Sequence, residues 1–434
     1  MKASEFLNKW SISPDSFDMQ EVTNAFLEEM AKGLYTEDSG SSLPMIATFC
    51  SDAAVPAVGE SVIVMDAGGT NFRTCLVSFD QDLNPVISDF RKTRMPGFDA
   101  EVSASKFFSI LADETERLLP KSRKIGFCFS YAAQITEDLD GIPLTFSKEI
   151  KAPEVVGMKL GVSLLAELKR RGHDVSSYRI GILNDTVATL LAGKVAPAGR
   201  EYSAYIGYIL GTGTNTAYVE DTKMIGKLKG RENLSPRMII NVESGNFLLN
   251  VSPIDAEFRA TTKNPDSYSF EKMVSGAYLG PLAYHVVRKA VEEGVFSKSF
   301  ADGFARLSTL TTTEMSNFLE MPRNKEYVLS AVAAGNDQDI TSLYLILDSF
   351  IARSAKLTAC NLSAAVLKSG QGTDPSRPVC INADGTTFYK TMNLKRYTDF
   401  YLHQFLSEKL GYHYEFVNIK DSPVIGAAIA ALGL

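Results

Sequence analysis

The sequence predicts an α/β protein with two related lobes that face each other across a cleft. The first observation is a unit at 62–79, in which an apolar strand, a turn rich in Gly, Thr and Asn, and a second strand follow one another. The same unit returns at 205–220, and a third instance is expected at 378–387. Repeated strand–turn–strand units, each followed by helical segments, indicate two copies of one α/β arrangement.

The composition is that of a globular protein. Of the 434 residues, 45% are hydrophobic and 22% are charged, and at roughly 150 residues per domain this length predicts two to three domains. Lys and Arg total 44 against 51 Asp and Glu, a net charge of −7, which argues against nucleic acid or membrane as partners. The five cysteines lack metal-site spacing, and no apolar run suits a signal peptide or a membrane span. We therefore expect a cytoplasmic protein with reduced thiols.

The hydrophobic pattern predicts the elements in chain order. The predicted helices cover 17–33, ending at Gly33, and 101–119; a third begins at 184–186, and a closing helix covers 424–432. The predicted strands lie at 61–65, 72–79, 86–91, 125–130, 179–183, 205–210 and 216–220. Together, these elements predict an N-terminal helical segment at 1–50 that packs on the large lobe. The small lobe is expected at 51–184, joined by the C-terminal helix 421–434, and the large lobe at 185–420.

Two glycine-threonine turns, at 66–71 and 211–215, are the strongest signal from spacing alone. In such a turn backbone N–H groups approach an anion closely and the hydroxyl adds a donor. A single turn of this kind is usually structural, whereas a pair at strand ends favours phosphate binding. The P-loop pattern is missing, and Thr216 stands where a dinucleotide fingerprint needs a third glycine. Neither a P-loop NTPase nor a Rossmann dehydrogenase fits.

Asp185 is the best candidate for a general base. It directly follows the strand at 179–183 and precedes a helix, with Asn184 before it. A carboxylate there can take a proton from a substrate hydroxyl while Asn184 holds the substrate. The structural alternative is that Asp185 caps the helix. Asp66 is ambiguous in the same way, because it either serves a metal ion near the phosphates or braces its turn.

Further segments complete a pattern that resembles the hexokinase family. Asp-Ala-Gly-Gly-Thr-Asn-Phe-Arg at 66–73 and Gly-Thr-Gly-Thr-Asn at 211–215 are similar to its two phosphate motifs, and Leu-Asn-Asp-Thr-Val-Ala-Thr at 183–189 to its catalytic motif. In this chain, the segments 126–130, 145–148, 241–245 and 270–276 resemble the family's sugar-binding segments. Residues 383–386 resemble its adenosine motif, and residues 42–49 resemble its N-terminal Leu-Pro segment. The resemblance implies two actin-like (ribonuclease H-like) α/β lobes with a central cleft that closes on sugar and Mg-ATP.

The resemblance also implies a role for each matching residue. Asp185 is expected to deprotonate the sugar's 6-hydroxyl, and Lys148 to bind the sugar and offset developing charge. Asp66 is expected to serve Mg²⁺ through water, because Mg²⁺ gives up its hydration reluctantly. The sugar is expected to bind Ser130, Ser147, Lys148, Asn184, Asp185, Asn215, Glu243 and Glu271. ATP is expected to bind Asp66, Gly68, Gly69, Thr70, Asn71, Arg73, Gly211, Thr212, Gly213, Thr214, Asp384, Gly385, Thr386 and Gly426.

The chain departs from the family's pattern around the sugar and near the C-terminus. Ser-Phe-Pro-Cys has become Ser-Tyr-Ala-Ala at 130–133, Trp-Thr-Lys has become Phe-Ser-Lys at 146–148, and Glu-Trp-Gly has become Glu-Ser-Gly at 243–245. Tyr268 replaces a Gln, and Asp-Gly-Ser-Gly-x-Gly has become Asp-Ser-Pro-Val-Ile-Gly at 421–426. We therefore expect an altered rim of the sugar pocket and a reshaped adenosine pocket.

Three functions are compatible with these residues. The first is a hexokinase that phosphorylates a hexose, with glucose as the first candidate, at the 6-hydroxyl in the first step of glycolytic hexose use, as a monomer or homodimer. The second is a sugar sensor of the same fold without turnover, and the third is an actin- or chaperone-like ATPase. All residues required for the chemistry are present, which favours the kinase. The run at 227–231 is expected to be a solvated loop.

Overall fold

The chain folds around two β-sheets, and the computed structural model describes residues 1–146, 150–196 and 199–434. The strands are β1 (Ile46–Ala47), β2 (Val62–Gly68), β3 (Asn71–Phe79), β4 (Pro85–Arg94), β5 (Lys124–Phe129), β6 (Ala133–Ile135), β7 (Gly141–Pro143), β8 (Arg179–Leu183), β9 (Ala204–Leu210), β10 (Thr214–Asp221), β11 (Arg237–Asn241), β12 (Val379–Asp384) and β13 (Tyr414–Val417). One sheet has the order β4-β3-β2-β5-β8 and the other the order β1-β11-β10-β9-β12-β13, while β6 and β7 form a separate hairpin. The unit built on the first sheet is called the small lobe, and the unit built on the second sheet the large lobe.

The two sheets repeat one topology. In the small lobe, β2, β3 and β4 are antiparallel neighbours, and β5 and β8 extend the sheet in parallel with β2. In the large lobe, β9, β10 and β11 are antiparallel in the same order, and β12 and β13 extend the sheet in parallel with β9. The predicted fold of two related α/β lobes is therefore confirmed, and the repeated units at 62–79 and 205–220 are the first hairpins of the two sheets.

Fifteen helices cover these sheets in the part of the chain that the structure describes. They are α1 (Ala3–Lys9), α2 (Met19–Tyr35), α3 (Ala104–Glu116), α4 (Leu160–Arg170), α5 (Asp185–Ala192), α6 (Pro253–Ala260), α7 (Glu271–Val274), α8 (Leu279–Glu292), α9 (Lys298–Phe304), α10 (Thr312–Glu320), α11 (Val328–Ala333), α12 (Asp337–Ser369), α13 (Thr386–Lys390), α14 (Leu394–Leu402) and α15 (Ser422–Leu432). Short 3₁₀ turns lie at Pro14–Ser16, Leu119–Lys121, Pro153–Val155, Gly193–Val195, Thr222–Met224, Gly226–Leu228 and Ser244–Asn246, and α14 continues as a π-helical turn at His403–Lys409.

Two local predictions are wrong, each for a tertiary reason. The helix predicted to end at Gly33 continues to Tyr35. Gly33 marks a close approach, because a β-carbon there would lie 2.3 Å from the carbonyl oxygen of Leu43. The third strand–turn–strand unit at 378–387 is also wrong, since β12 leads into α13. β12 is parallel to both of its neighbours, and parallel strands need a crossover connection in place of a hairpin.

Helices α5 and α15 join the lobes. A β-carbon on Gly426 of α15 would lie 1.8 Å from the carbonyl oxygen of Ala188 in α5. A β-carbon on Gly126 of β5 would lie 2.1 Å from the carbonyl oxygen of Ala427, again in α15. These close approaches require glycine, and one buried apolar cluster contains residues from both helices and both sheets. The C-terminal helix therefore packs directly on the small-lobe sheet.

The N-terminal helices pack on the large lobe. Phe6 of α1 and Phe26 of α2 are fully buried in the large-lobe core, where Phe26 stacks on Phe247 with the ring centroids 3.6 Å apart. Buried Arg353 of α12 forms an ion pair with Asp255 at 2.8 Å. All five cysteines are buried, with free thiols. Among the described residues, no helix combines the length and apolar character that crossing a membrane requires.

Candidate active site

The β2–β3 hairpin presents a short glycine turn. Gly68 pairs with Asn71, so the turn itself consists of Gly69 and Thr70. Gly69 has a φ of +52°, in the left-handed region that favours glycine. The Asn71 amide donates to the Thr70 hydroxyl at 3.0 Å, and the Tyr131 hydroxyl donates to the Gly69 carbonyl at 2.6 Å. Gly68, Gly69, Thr70 and Asn71, which were all predicted to bind ATP, thus lie together at the tip of one hairpin. Tyr131, whose role the sequence did not indicate, anchors this turn.

Asp66 and Arg73 face each other across this hairpin. They are register partners, and Arg73 Nη1 lies 2.9 Å from Asp66 Oδ2. Burial raises the pKa of Asp66 to about 6, the Arg73 charge lowers this pKa, and the negative charge of Asp185 raises it. Asp66 therefore braces its hairpin through Arg73 and, at the same time, lies close enough to Asp185 to feel its charge.

The β9–β10 hairpin forms a second glycine turn, at 211–213. The Gly211 N–H donates to the Gly213 carbonyl at 2.9 Å, and the Thr387 hydroxyl donates to the Gly211 carbonyl at 2.8 Å. The Thr214 N–H donates to Glu271 Oε2 at 3.0 Å. Glu271, predicted from the sequence as a sugar ligand, therefore also supports the base of this phosphate-type turn.

A cavity of about 560 Å³ opens beside the second turn. Hydroxyl, amide and charged side chains dominate its wall. The lining residues are Thr212, Gly276, Ala277, Thr312, Thr313, Ser316, Asn317, Glu320, Thr386, Thr387, Lys390 and Thr391. Thr212 and Thr386 belong to the predicted ATP site, whereas the residues of α10 were missed because their segment is distant in sequence and carries no phosphate-binding pattern. The cavity has the polar lining that a nucleoside would need.

Asp384 lies at the end of β12, next to this cavity. Its Oδ1 accepts the Gly385 N–H at 2.7 Å, and Gly385 has a φ of +122°. Burial raises the pKa of Asp384, and the negative charge of Asp185 raises it further, whereas the Gly385 N–H lowers it. The structure thus gathers Asp66, Asp185 and Asp384 from three separate segments around one part of the cleft.

Asp185 is the first residue of α5. The side chain of Asn184 accepts the Thr186 N–H at 2.8 Å, so Asn184 caps the helix and the alternative that Asp185 is the cap is wrong. The Thr186 hydroxyl donates to Asp185 Oδ1 at 3.3 Å. Asp185 thus places a carboxyl group in the first turn of α5, directly after the capping residue.

Two asparagines and a glutamate form a connected polar network beside Asp185. Asn215 Nδ2 donates to Asn241 Oδ1 at 2.7 Å and to Glu243 Oε1 at 3.2 Å, and Asn241 Nδ2 donates to Glu243 Oε1 at 2.8 Å. The loss of surrounding water raises the pKa of Glu243 to about 7, the Asn241 amide lowers this pKa, and the charge of Asp185 raises it. Asn241 was not among the predicted sugar ligands, although it begins the segment 241–245 that resembles a sugar-binding segment. It ends β11, and Glu243 follows two residues later with a φ of +56°, in the left-handed region.

A narrow pocket between the lobes brings two predicted sugar ligands together with two residues that were not predicted. Asn184, Asn241, Glu243 and Tyr131 all line it. Ser130 lies beside it at the end of β5, where its N–H donates to the Ala67 carbonyl at 3.1 Å. Ser147 and Lys148, two further predicted sugar ligands, lie outside the described residues. The pocket combines amide and carboxylate groups, which bind vicinal hydroxyls well.

Gly426 lies apart from these groups. It is buried at the crossing of α15 with α5, where its missing side chain permits contact with Ala188. The packing explains why a glycine stands here, and its assignment to ATP stays a prediction.

The fold and the site together define a class of protein. Two lobes of one topology face each other with a glycine turn on each, and carboxylates and amides lie between the turns. This is the arrangement of a two-lobed kinase with the actin-like fold, which binds a nucleotide and a polyhydroxylated substrate in one cleft.

Comparisons with known proteins give the family. Two hexokinase family models match residues 2–195 and 205–433. Hexokinase-9 of Oryza sativa subsp. japonica is 28% identical to this chain, and the match covers 95% of this chain and 86% of the relative. Hexokinase-1 of Nicotiana tabacum is 27% identical, and the match covers 96% of this chain and 88% of the relative. The chain therefore belongs to the hexokinase family, whose members phosphorylate a hexose with ATP.

Solved structures agree with this fold. The hexokinase of Schistosoma mansoni complexed with glucose matches with a TM-score of 0.75 at 21% identity, over 100% of both chains. Another hexokinase crystal structure matches with a TM-score of 0.77 at 20% identity, over 99% of both chains. The predicted actin-like two-lobed fold is confirmed, as is the kinase hypothesis among the three functions considered.

Proposed function

We propose that Asp185 is the general base and that the hexose reacts through its 6-hydroxyl. The hydroxyl oxygen attacks the γ-phosphorus of ATP and its proton passes to Asp185, while the bond from the γ-phosphorus to the bridging oxygen breaks and ADP leaves. The observation that carries the assignment is that Asp185 begins α5 within electrostatic range of three carboxyl groups: Asp66 in the first hairpin, Asp384 before the 385–387 segment that contacts the second turn, and Glu243 in the polar network. Phosphoryl transfer depends chiefly on such positioning and charge stabilisation.

The remaining sugar hydroxyls are proposed to bind the polar network and its neighbours. Glu243 and Glu271 accept hydrogen bonds from hydroxyls, while the amides of Asn184, Asn215 and Asn241 can both donate and accept. We assign the same role to Ser130, Ser147 and Lys148. The pre-formed network supports this assignment, because Asn215 and Asn241 already hold the Glu243 carboxylate in place.

The two glycine turns are proposed to hold the phosphates, and the cavity of about 560 Å³ to hold the nucleoside. Arg73 is placed to add positive charge, since it lies beside Asp66 at the first turn. Thr212 and Thr386 line the cavity at the point where the second turn meets α13. The altered segment at 421–426 contains the start of α15. The KM for ATP measures the effect of this segment on ATP binding.

The residues around Asp66 fit a magnesium ion held through water. Asp66, Asp185 and Asp384 converge, so negative charge exceeds the single positive charge of Arg73. Within the described ranges no three His, Cys, Asp or Glu side chains are close enough to hold a metal directly, which agrees with outer-sphere binding of a strongly hydrated cation. When bound, the ion would neutralise phosphate charge. Asp66 would orient its water ligands while Arg73 keeps the Asp66 carboxylate in position.

Glucose is the proposed hexose, in the first step of glycolytic hexose use. The structural likeness to a hexokinase crystallised with glucose supports this choice. We also propose a cytoplasmic location, which the five free thiols support because disulfides are rare there.

The small lobe is proposed to span 51–184 with the C-terminal helix 421–434, and the large lobe is proposed to span 185–420, with residues 1–50 packed on it. For the assembly we propose a monomer or homodimer, which light scattering will distinguish.

The experiment that tests this proposal is a coupled ADP-release assay with Mg-ATP and a panel of hexoses, with the product identified by mass spectrometry and NMR. Glucose-dependent ADP release with glucose 6-phosphate as product is the expected result. A higher rate with mannose, fructose or an N-acetylated hexose than with glucose would identify that sugar as the preferred substrate in place of glucose. Release of ADP at the same rate without any sugar would contradict the assignment of Asp185 to a sugar hydroxyl.

A further inference from the structure

A contact between the lobes lies outside the proposed active site. Arg231 follows the 3₁₀ turn Gly226–Leu228 of the large lobe, and Glu137 lies in the loop between β6 and β7. Arg231 Nη1 and Glu137 Oε1 form an ion pair. The Arg231 guanidinium also lies 5.6 Å from the centroid of the Phe49 ring. The run at 227–231, expected to be a solvated loop, thus contributes a side chain that reaches the small lobe.

The Arg231 end of this ion pair is fixed to the large lobe. Lys227 Nζ donates to the Pro44 carbonyl at 2.9 Å, and the Lys227 side chain is only 2% exposed. A β-carbon on Gly226 would lie 2.7 Å from the Tyr35 carbonyl oxygen, so the loop lies directly against the end of α2. Because its neighbours are anchored in this way, Arg231 moves with the large lobe.

The Glu137 end is equally well fixed to the small lobe. The Ile182 N–H of β8 donates to the Leu139 carbonyl at 2.8 Å. Asp140 Oδ1 accepts the Gly161 N–H at 2.7 Å and Oδ2 accepts the Val162 N–H at 2.9 Å, which ties the loop to the start of α4. A change in the distance between the lobes therefore changes the separation of Glu137 and Arg231 directly.

The β6–β7 hairpin connects this ion pair to the proposed sugar site. The hairpin lies in sequence between Ser130 and the segment 145–148, which are assigned to the sugar. Its strand β6 contributes Ala133 and Ile135 to the narrow pocket that Asn184 and Glu243 also line. The Leu144 N–H donates to the Ala132 carbonyl at 2.9 Å, so both ends of the hairpin are held together.

A large cavity adjoins the ion pair between the lobes. A cavity of about 890 Å³ lies between the connector at 43–49, the β6–β7 hairpin and the 227–231 loop, and Arg231 and Glu137 are on its wall. The two side chains are 47% and 55% exposed. The lobes can therefore separate at this cavity without disrupting a packed core, and such a separation would break the charge pair.

We propose that Arg231 and Glu137 are positioning residues that hold the β6–β7 hairpin of the small lobe, beside the proposed sugar ligand Ser130, over the cleft. Their ion pair favours the closed arrangement in which the sugar is surrounded by both lobes, and opening of the cleft separates the two charges. The proposal rests on the assignment of Ser130 and the segment 145–148 to the sugar.

The test compares single variants with a charge swap. Arg231→Gln removes the attraction and should raise the KM for glucose about two- to fivefold with little change in kcat, the range expected for an exposed pair. Arg231→Glu places two carboxylates opposite each other and should raise this KM more, by about tenfold. The double variant Arg231→Glu/Glu137→Arg restores the attraction with reversed charges, and its KM should return to within about twofold of wild type.

Salt dependence separates positioning from a merely structural role. The wild-type KM for glucose should rise with NaCl concentration more steeply than that of Arg231→Gln, because salt screens an exposed pair. The matched control is Arg323→Gln, which removes an exposed ion pair to Asp337 within the large lobe and should leave the KM unchanged. Melting temperatures verify that every variant is folded.

Two results would overturn the proposal: a KM for glucose that Arg231→Glu leaves unchanged, or a charge swap no better than the single variants. Failure of the proposed function looks different, because the wild-type protein would then show no glucose-dependent ADP release at all.

Discussion

Binding of the hexose should depend on pH through Glu243. This carboxyl has its pKa raised to about 7 by the loss of surrounding water, with further increases from the charges of Asp185 and Glu271. The ionised form is the better acceptor for sugar hydroxyls, because a protonated carboxyl presents an O–H in place of one acceptor. The apparent Kd for glucose should therefore rise as the pH falls through 7.

The size of the effect follows from the ionised fraction. With a pKa near 7, about one Glu243 in eleven is ionised at pH 6 and about ten in eleven at pH 8. If sugar binds only to the ionised form, the Kd at pH 6 is about ten times the Kd at pH 8, a difference of about 1.4 kcal/mol in binding free energy. Calorimetric titration with glucose in the absence of nucleotide measures this Kd without interference from the ATP site.

The decisive comparison is with Glu243→Gln. The variant keeps the shape of the side chain but does not titrate, so its Kd should be raised overall and nearly constant between pH 6 and 8. Glu232→Gln, which alters an exposed carboxylate of the large lobe, is the matched control and should keep the wild-type profile. A wild-type Kd that stays constant from pH 6 to 8, or a Glu243→Gln profile as steep as that of wild type, would refute the reasoning.

Three further predictions concern catalysis, the first turn and stability. Asp185→Asn should lower kcat about 10²- to 10⁴-fold while calorimetry shows glucose still bound, because the base acts in the transition state; an unchanged kcat would remove Asp185 from the mechanism. Tyr131→Phe deletes the 2.6 Å hydrogen bond to Gly69 and should raise the KM for ATP about two- to tenfold, with the glucose Kd within twofold of wild type; equal effects on both substrates would contradict a specific role at the phosphate turn. Arg353→Met leaves buried Asp255 without its ion-pair partner and should lower the free energy of unfolding by about 3–5 kcal/mol in denaturant titrations; an unchanged midpoint would contradict it.

The sequence by itself was sufficient for the repeated fold and for many residues of the candidate site. The hairpins β2–β3 and β9–β10 could be predicted because each is a local unit, with an apolar strand, a glycine turn and a second strand within some twenty residues. The same locality explains why Asn184 and Asp185 could be proposed as site residues, since a polar pair directly after a buried strand is visible without any tertiary contact. The resemblance to a family then connected segments that spacing alone could not relate.

Other features required the tertiary structure. The end of α2 could not be read from Gly33, because that glycine is explained by its approach to Leu43 and not by a helix stop. The chain after β12 forms α13 because β12 runs parallel to its neighbours, which the local Gly-Thr pattern does not reveal. Strand direction and close approach are properties of the assembled sheet, so they leave only weak traces in the sequence.

The same reason applies to the residues that the site gained. Tyr131 and Asn241 look like ordinary pocket and strand residues until the fold places one beside the Gly69 carbonyl and the other against Glu243. The pKa values of Asp66 and Glu243 are likewise raised chiefly by burial in the folded protein and further by the charge of Asp185, which lies far from both in the chain. The sequence determined which chemical groups are available, whereas the tertiary structure decided which of them share one environment, because hydrogen bonding, desolvation and charge coupling act only over a few ångströms.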